Sequence, residues 1–167
     1  GSNRLSPGAR AFGQNNTATN PGLFCLMVGG GNTCQATAAI VGNLQQESKF
    51  NTQAIGDGGR AHGIAQWWSP RWDNLLAFAN QSGRSPWALD AQLGFGWHEL
   101  QTIPAFGLRS ILAATTLEAA TVAFQDNFEK CGDCRPDMRI RYANNILGCL
   151  AIRPPLAKRG NTVTVIA

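Results

Sequence analysis

Glutamates are scarce in this chain of 167 residues: only Glu47, Glu99, Glu118 and Glu129 occur. Glu118 follows Thr115 by three residues, the spacing of a capping box, so it reads as a helix-capping residue. Glu99 falls off the apolar stripe of its helix and reads as solvated. Glu47 differs. Ile40, Leu44 and Glu47 share one helical face, which brings the carboxyl out at the edge of the core. It also sits in the last turn of its helix, where the macrodipole disfavours negative charge. Partial burial acts in the same direction. A carboxyl that keeps its proton is what general-acid cleavage of a glycosidic bond requires. The competing reading is a helix-ending surface glutamate.

The cysteines are Cys25, Cys34, Cys131, Cys134 and Cys149. Cys131-Gly132-Asp133-Cys134 has the spacing of a zinc or redox motif. A zinc site needs about four ligands, and only Cys149 and the distant His62 and His98 could supply the rest. A redox motif wants a strand before it, whereas a helix precedes this one. Structural disulfides in an oxidising compartment, with one thiol left over, fit better. No metal or other cofactor is expected. Two helices, 115–130 and 136–149, would flank the Cys131–Arg135 turn and run antiparallel. A 14-residue helix is about 21 Å long, which carries Cys149 well beyond the ~7 Å that a bridge allows. Cys131–Cys134 is then a local pair, and Cys25 bridges Cys34 or Cys149, with Cys34 slightly favoured.

The elements that must position these groups follow from periodicity. Residues 1–21, rich in Gly, Asn, Ser, Pro and Thr, read as a flexible arm. Pro21 to Val28 can open a helix that Gly29-Gly30-Gly31 breaks. Asn32 or Thr33 caps a helix to Glu47, with Ala36, Ile40, Val41 and Leu44 inward. Helical patterning stops from Ser48 to Gln66, where short apolar pairs flank Gly56-Asp57-Gly58-Gly59, a small hairpin with a glycine turn. Ser69-Pro70 starts the next helix, with Trp72, Leu75, Leu76 and Ala79 buried and Gly83 at its end. Ser85-Pro86 starts another, with Leu89, Leu93, Trp97 and Leu100 inward and Pro104 as its stop. A short helix near Leu108–Leu112 follows. Thr115 opens a helix through Lys130 with Leu117, Thr121, Phe124 and Phe128 inward. Pro136 begins the last long helix, to about Leu150, and Pro154-Pro155 ends regular structure. Thr162 to Ile166 alternates weakly, like a strand. The class is α+β, predominantly helical, with its β excursion near residues 50–66.

Composition narrows the function. Charged residues make up 14% and apolar residues 44%, which excludes extensive disorder. The run Leu23 to Val28 is shorter than a membrane span or the core of a secretion signal requires. Within the net charge of +4, residues 130–167 carry seven basic against two acidic residues. Such an end suits a polyanion such as nucleic acid, anionic membrane or bacterial cell wall, and equally a solvated basic helix and tail. No nucleic-acid-binding signature accompanies it.

The residues around Glu47 carry a family likeness. Gly42-Asn43-Leu44-Gln45-Gln46-Glu47-Ser48-Lys49-Phe50-Asn51, then Ala54 and Gly63-Ile64-Ala65-Gln66, resembles the goose-type lysozymes and soluble lytic transglycosylases. The longer string, from Ile40 through Asp57-Gly58-Gly59 to Trp67, is more similar to the phage tail-associated lysozymes. Later strings agree in order: Trp97-His98-Glu99-Leu100, Phe128-Glu129-Lys130, and Arg139-Ile140-Arg141-Tyr142-Ala143. The likeness spans residues 34–147. Thr52 stands where many relatives have proline, and the Asn-Ala-Gly motif of the soluble transglycosylases is not evident.

The resemblance implies a lysozyme-like domain over residues 22–152, between the arm and a basic tail at 153–167. It implies peptidoglycan as the partner, with Glu47 protonating the oxygen of the β-1,4 bond between N-acetylmuramic acid and N-acetylglucosamine. In a hydrolase a second carboxylate follows. Asp57, in the glycine turn, is the candidate, against the reading of a turn aspartate bonding its own backbone. In a lytic transglycosylase the sugar's 6-hydroxyl attacks, and Glu47 takes the proton back. The phage-type likeness favours hydrolysis. By position in the matching strings, Ser48, Gln66, Glu129 and Tyr142 are substrate contacts, with core packing as the alternative for Tyr142. His62 is a further candidate, against a packed or solvated histidine. Trp67, Trp68 and Trp72 can stack on sugars or fill the core. A non-catalytic cell-wall glycan-binding or assembly module is the alternative of another class, and a chitin-directed glycosidase is a third. The likeness implies an extracellular, periplasmic or virion-associated protein without a membrane span or nucleic-acid role, and allows a larger tail or secretion protein as its carrier.

Overall fold

The apolar spacing at Ala36, Ile40, Val41 and Leu44 produces the helix around which the chain is organised. The structure, a computed structural model, describes residues 33–152, 157–159 and 162–164. The arm, the helix expected at Pro21–Val28, any bridge from Cys25 and the stop at Pro154-Pro155 lie outside these residues. Helix α1 spans Thr33–Ser48. Strands β1 (Ile55–Gly56) and β2 (Ala61–His62) form an antiparallel hairpin across a short 3₁₀ turn, Asp57–Gly59. Helices α2 (Arg71–Gln81), α3 (Leu89–Thr102), α4 (Leu108–Ala113), α5 (Leu117–Phe124) and α6 (Pro136–Ile152) follow. Strands β3 (Ala157–Arg159) and β4 (Thr162–Thr164) pair antiparallel. The class is helical α+β, as the patterning implied. Among the described residues, no helix is long and apolar enough to cross a membrane.

Helix α1 packs chiefly against α6 and α5. Its approach to α6 is close because Gly42 carries no side chain. A Cβ there would sit 2.7 Å from the Ala143 nitrogen and 2.9 Å from its Cα. Gly42→Ala must push two helices apart, and backbone atoms cannot give way as a flexible side chain can. We expect a loss of about 1–3 kcal/mol, the usual cost of overpacking, read as a lower urea midpoint with an unchanged slope.

The hairpin is tied down by buried polar groups. Gln92, fully buried, accepts from the Ile64 N–H at 3.0 Å. It donates to the carbonyls of Thr52 at 2.8 Å and Pro86 at 2.9 Å. Ser48 Oγ donates to the Ile64 carbonyl at 2.9 Å, which joins the end of α1 to the hairpin. These bonds satisfy irregular backbone that has no ladder partner.

Several boundaries differ from the sequence reading. Helix α2 begins at Arg71 with Pro70 at its cap position, and α3 begins at Leu89 rather than at Pro86. Leu76, expected inside, is 39% exposed. The cap of α5 is Thr116, whose hydroxyl accepts from the Ala119 N–H at 3.1 Å. The Thr115–Glu118 capping box does not form, because burying Leu117, Ala120 and Phe124 puts the helix start one residue later. That helix does not run regularly to Lys130 either. Gln125–Glu129 widens into a π turn, closed by the Lys130 N–H on the Gln125 carbonyl at 2.9 Å. Phe128's carbonyl, free because the helical segment ends at Glu129, accepts from Arg71 Nη1 at 2.8 Å.

Candidate active site

The last turn of α1, the hairpin and the segment after α5 border a cleft of about 650 Å³. Glu47, Asp57, Gln66 and Glu129 all line it, together with Trp68, Arg71 and Arg139. Five separate stretches of chain therefore supply polar groups to one concavity. Asp57, Gln66 and Lys130, all on its walls, have left-handed backbone, with φ of 47°, 50° and 52°. Such conformations cost energy in residues with a side chain and gather at functional sites.

Glu47 is not the isolated carboxyl that its helical position suggested. Its side chain keeps 16% exposure, and Oε1 accepts from Arg139 Nη2 in an ion pair. Arg139 is buried at 2% exposure, although the basic α6 was readable as a solvated face. Its other nitrogens donate to the Cys134 carbonyl and, at 3.0 Å, to Asn43 Oδ1. Asn43 in turn donates to the carbonyls of Ala39 at 2.8 Å and Thr121 at 3.1 Å. A buried network thus joins α1, α5 and α6 behind the carboxyl. Sequence reasoning assigned Arg139 no role. The available signal was its i, i+4 relation to Ala143, a small residue on the face that meets α1.

Glu99 is a second correction. It is 2% exposed and forms a bidentate pair with Arg71, Nε to Oε1 at 2.8 Å and Nη2 to Oε2 at 2.7 Å. Trp67 Nε1 adds a bond to Oε2 at 3.0 Å. Arg71 also lies 4.4 Å from the ring centroids of both Phe106 and Phe128. Position 99 looked polar and peripheral because its partners come from α2 and the hairpin exit, remote in sequence. Its function in the fold is to hold Arg71 against the wall of the cleft.

Glu129 has the most perturbed environment. Its Oε1 is sealed from solvent and has no hydrogen-bond partner. Burial pushes this carboxyl well above the ordinary 4.5, and the negative charge of Glu47 adds to the rise, while Arg139 and Arg71 oppose it. Asp57 also lines the cleft, with a carboxyl 42% exposed and paired with Arg60 at 3.0 Å. Gln66 Nε2 donates to the Gly63 carbonyl at 2.9 Å, which braces the turn before Trp67.

Other candidates lie apart. Ser48 spends its hydroxyl on backbone carbonyls of Ile64 and Leu44. His62 stacks on Trp72 with ring centroids 4.8 Å apart. Tyr142 receives a hydrogen bond from Lys49 Nζ, which also lies 4.3 Å from its ring centroid. Trp67 and Trp72 are core residues, whereas Trp68 is 47% exposed, lines the cleft and lies under Arg60. Cys131 and Cys134 are disulfide-bonded with Cα atoms 5.1 Å apart, and Cys131 lines the same cleft. Cys34 forms no disulfide among the described residues.

Glu47 at the end of α1, Asp57 in the hairpin turn and the exposed Trp68 thus line one concavity. No curated protein and no solved structure matches the chain. The family model described as phage tail lysozyme matches residues 23–150, and on that match the chain belongs to the phage tail lysozymes, a family of peptidoglycan-degrading enzymes.

Proposed function

We propose that the chain is a muramidase that hydrolyses the β-1,4 bond between N-acetylmuramic acid and N-acetylglucosamine. The observation that carries this reading is the meeting of Glu47, Asp57, Gln66 and Glu129 in one open cleft. Glu47 protonates the glycosidic oxygen as the bond to the anomeric carbon breaks. Asp57, in the same cleft, steadies the positive charge that develops on the sugar ring and guides the incoming water. Gln66 offers an amide to sugar hydroxyls or acetamido groups. Trp68, the exposed indole of the cleft, gives a flat apolar face for a pyranose ring, a contact that requires no charge on the substrate.

Product chemistry tests this reading. Digested sacculi are expected to release muropeptides with reducing ends, identified by mass spectrometry before and after borohydride reduction. Asp57→Asn is expected to lower turnover by roughly 10²-fold, within the range for loss of a group that acts on the transition state, with little change in thermal midpoint because the side chain is at the rim. Products with 1,6-anhydro ends and a nearly silent Asp57→Asn would instead assign transglycosylation through Glu47 alone.

A further inference from the structure

The mechanism asks Glu47 for a proton, yet Glu47 is one half of an ion pair with Arg139. The same cleft contains a second carboxyl with the opposite circumstances. Glu129 ends the π turn, lines the groove with Glu47, and keeps Oε1 sealed without a partner. Two guanidinium groups lie near it, and both are occupied elsewhere. Arg71 directs its three nitrogens to Glu99 and to the Phe128 carbonyl. Arg139 directs its three to Glu47, Asn43 and the Cys134 carbonyl. A carboxyl with one oxygen sealed from solvent and unpartnered, beside Glu47 and with its neighbouring cations engaged by other acceptors, holds its proton more tightly than a free one.

We propose that Glu129 serves Glu47 as a proton-holding partner within the cleft they share. The proton on the Glu129 carboxyl passes to the Glu47 carboxylate, directly or through one water. Glu47 delivers it to the glycosidic oxygen as the carbon–oxygen bond breaks. The attacking water then gives up a proton that returns to the carboxyl pair, so the cycle closes with one water consumed and no net proton change. Glu129 is a positioning residue in this scheme, since it acts through Glu47. Every charged group around it takes part in setting its proton: Glu47 from α1, Arg71 from α2, Glu99 from α3 and Arg139 from α6. Asp57, Lys130 and Asp133 line the same cleft. The scheme rests on the reading of Glu47 as the acid.

The test compares the wild-type protein with Glu129→Gln and Glu47→Gln on soluble glycan strands, by pH profile and by infrared spectroscopy. At pH 7 the wild type is expected to show the carbonyl band of a protonated carboxyl, and Glu129→Gln to lack it. Glu129→Gln is expected to lose about 10²-fold in kcat with little change in KM. Its remaining activity should fall off at lower pH, because the proton reserve behind the alkaline limb is gone. The folded state favours protonated Glu129, so that part of stability is full below the ordinary 4.5 and is lost as pH rises through the elevated value. The thermal midpoint of Glu129→Gln relative to wild type should therefore increase with pH. Glu129→Asp keeps a titratable carboxyl and should retain the band and part of kcat.

An unchanged infrared band and pH limb in Glu129→Gln would overturn the inference. So would a rise in KM alone, which would make Glu129 a plain sugar contact. An inactive Glu47→Gln beside a normal Glu129→Gln removes this inference only, whereas an active, folded Glu47→Gln removes the acid itself.

Discussion

Glu47→Gln is expected to reduce sacculus clearing by about 10²–10⁴-fold, the contribution of general-acid catalysis. The substitution keeps the side chain's shape and leaves an amide oxygen where Oε1 now accepts from Arg139. Arg139 also retains its bonds to Asn43 and the Cys134 carbonyl. The variant should therefore fold, with circular dichroism and a cooperative melt like the wild type, and should still sediment with sacculi. What it loses is the carboxyl proposed to hand a proton to the leaving oxygen. Wild-type clearing by a folded Glu47→Gln protein would end the assignment. Loss of both clearing and folding would be separated by Glu47→Asp, which keeps the acid on a shorter stem.

Arg139→Met is expected to be the most destabilising single change among the cleft residues. It fills similar space but leaves the Glu47 carboxylate and Asn43 Oδ1 without their donor. Removing one partner of a buried ion pair costs about 3–5 kcal/mol. The lower end applies here, because the Glu47 side chain keeps 16% exposure and can be partly rehydrated. The urea midpoint should fall accordingly, and activity should fall further than the unfolded fraction explains, since Glu47 loses its anchor. Arg139→Lys should recover only part of the stability. A single ammonium cannot reach three acceptors that a planar guanidinium meets at once. A Met variant as stable as wild type would show that the pair contributes little beyond its own desolvation.

How much of this was legible beforehand depended on the range of the interactions involved. Helix α1, the glycine-turn hairpin and the Cys131–Cys134 bridge are local: each follows from spacing within a few residues, and each stands in the structure. Glu47 was singled out for the same reason, since Ile40 and Leu44 place its face without knowledge of any other helix. The fate of Glu99 could not be read so. Its burial depends on Arg71 and Trp67, 28 and 32 residues earlier, and a helical stripe carries no record of a partner outside it.

Tertiary packing alone decided the electrical state of the cleft. Arg139 lies 92 residues after Glu47, yet it supplies the positive charge beside that carboxyl. Residue patterns on α6 mark a basic helix, whereas its close packing on α1, with Ala143 against Gly42, leaves Arg139 buried among acceptors from α1 and the Cys134 carbonyl. Glu129 was chosen from a matching string, but its sealed oxygen comes from the π turn and from cations already committed to other acceptors. Spacing along the chain determined which residues could form helices and which carboxyl would stand at a helix end. Charge and proton affinity depend on distances through space and on the loss of water, and those exist only once the helices have packed.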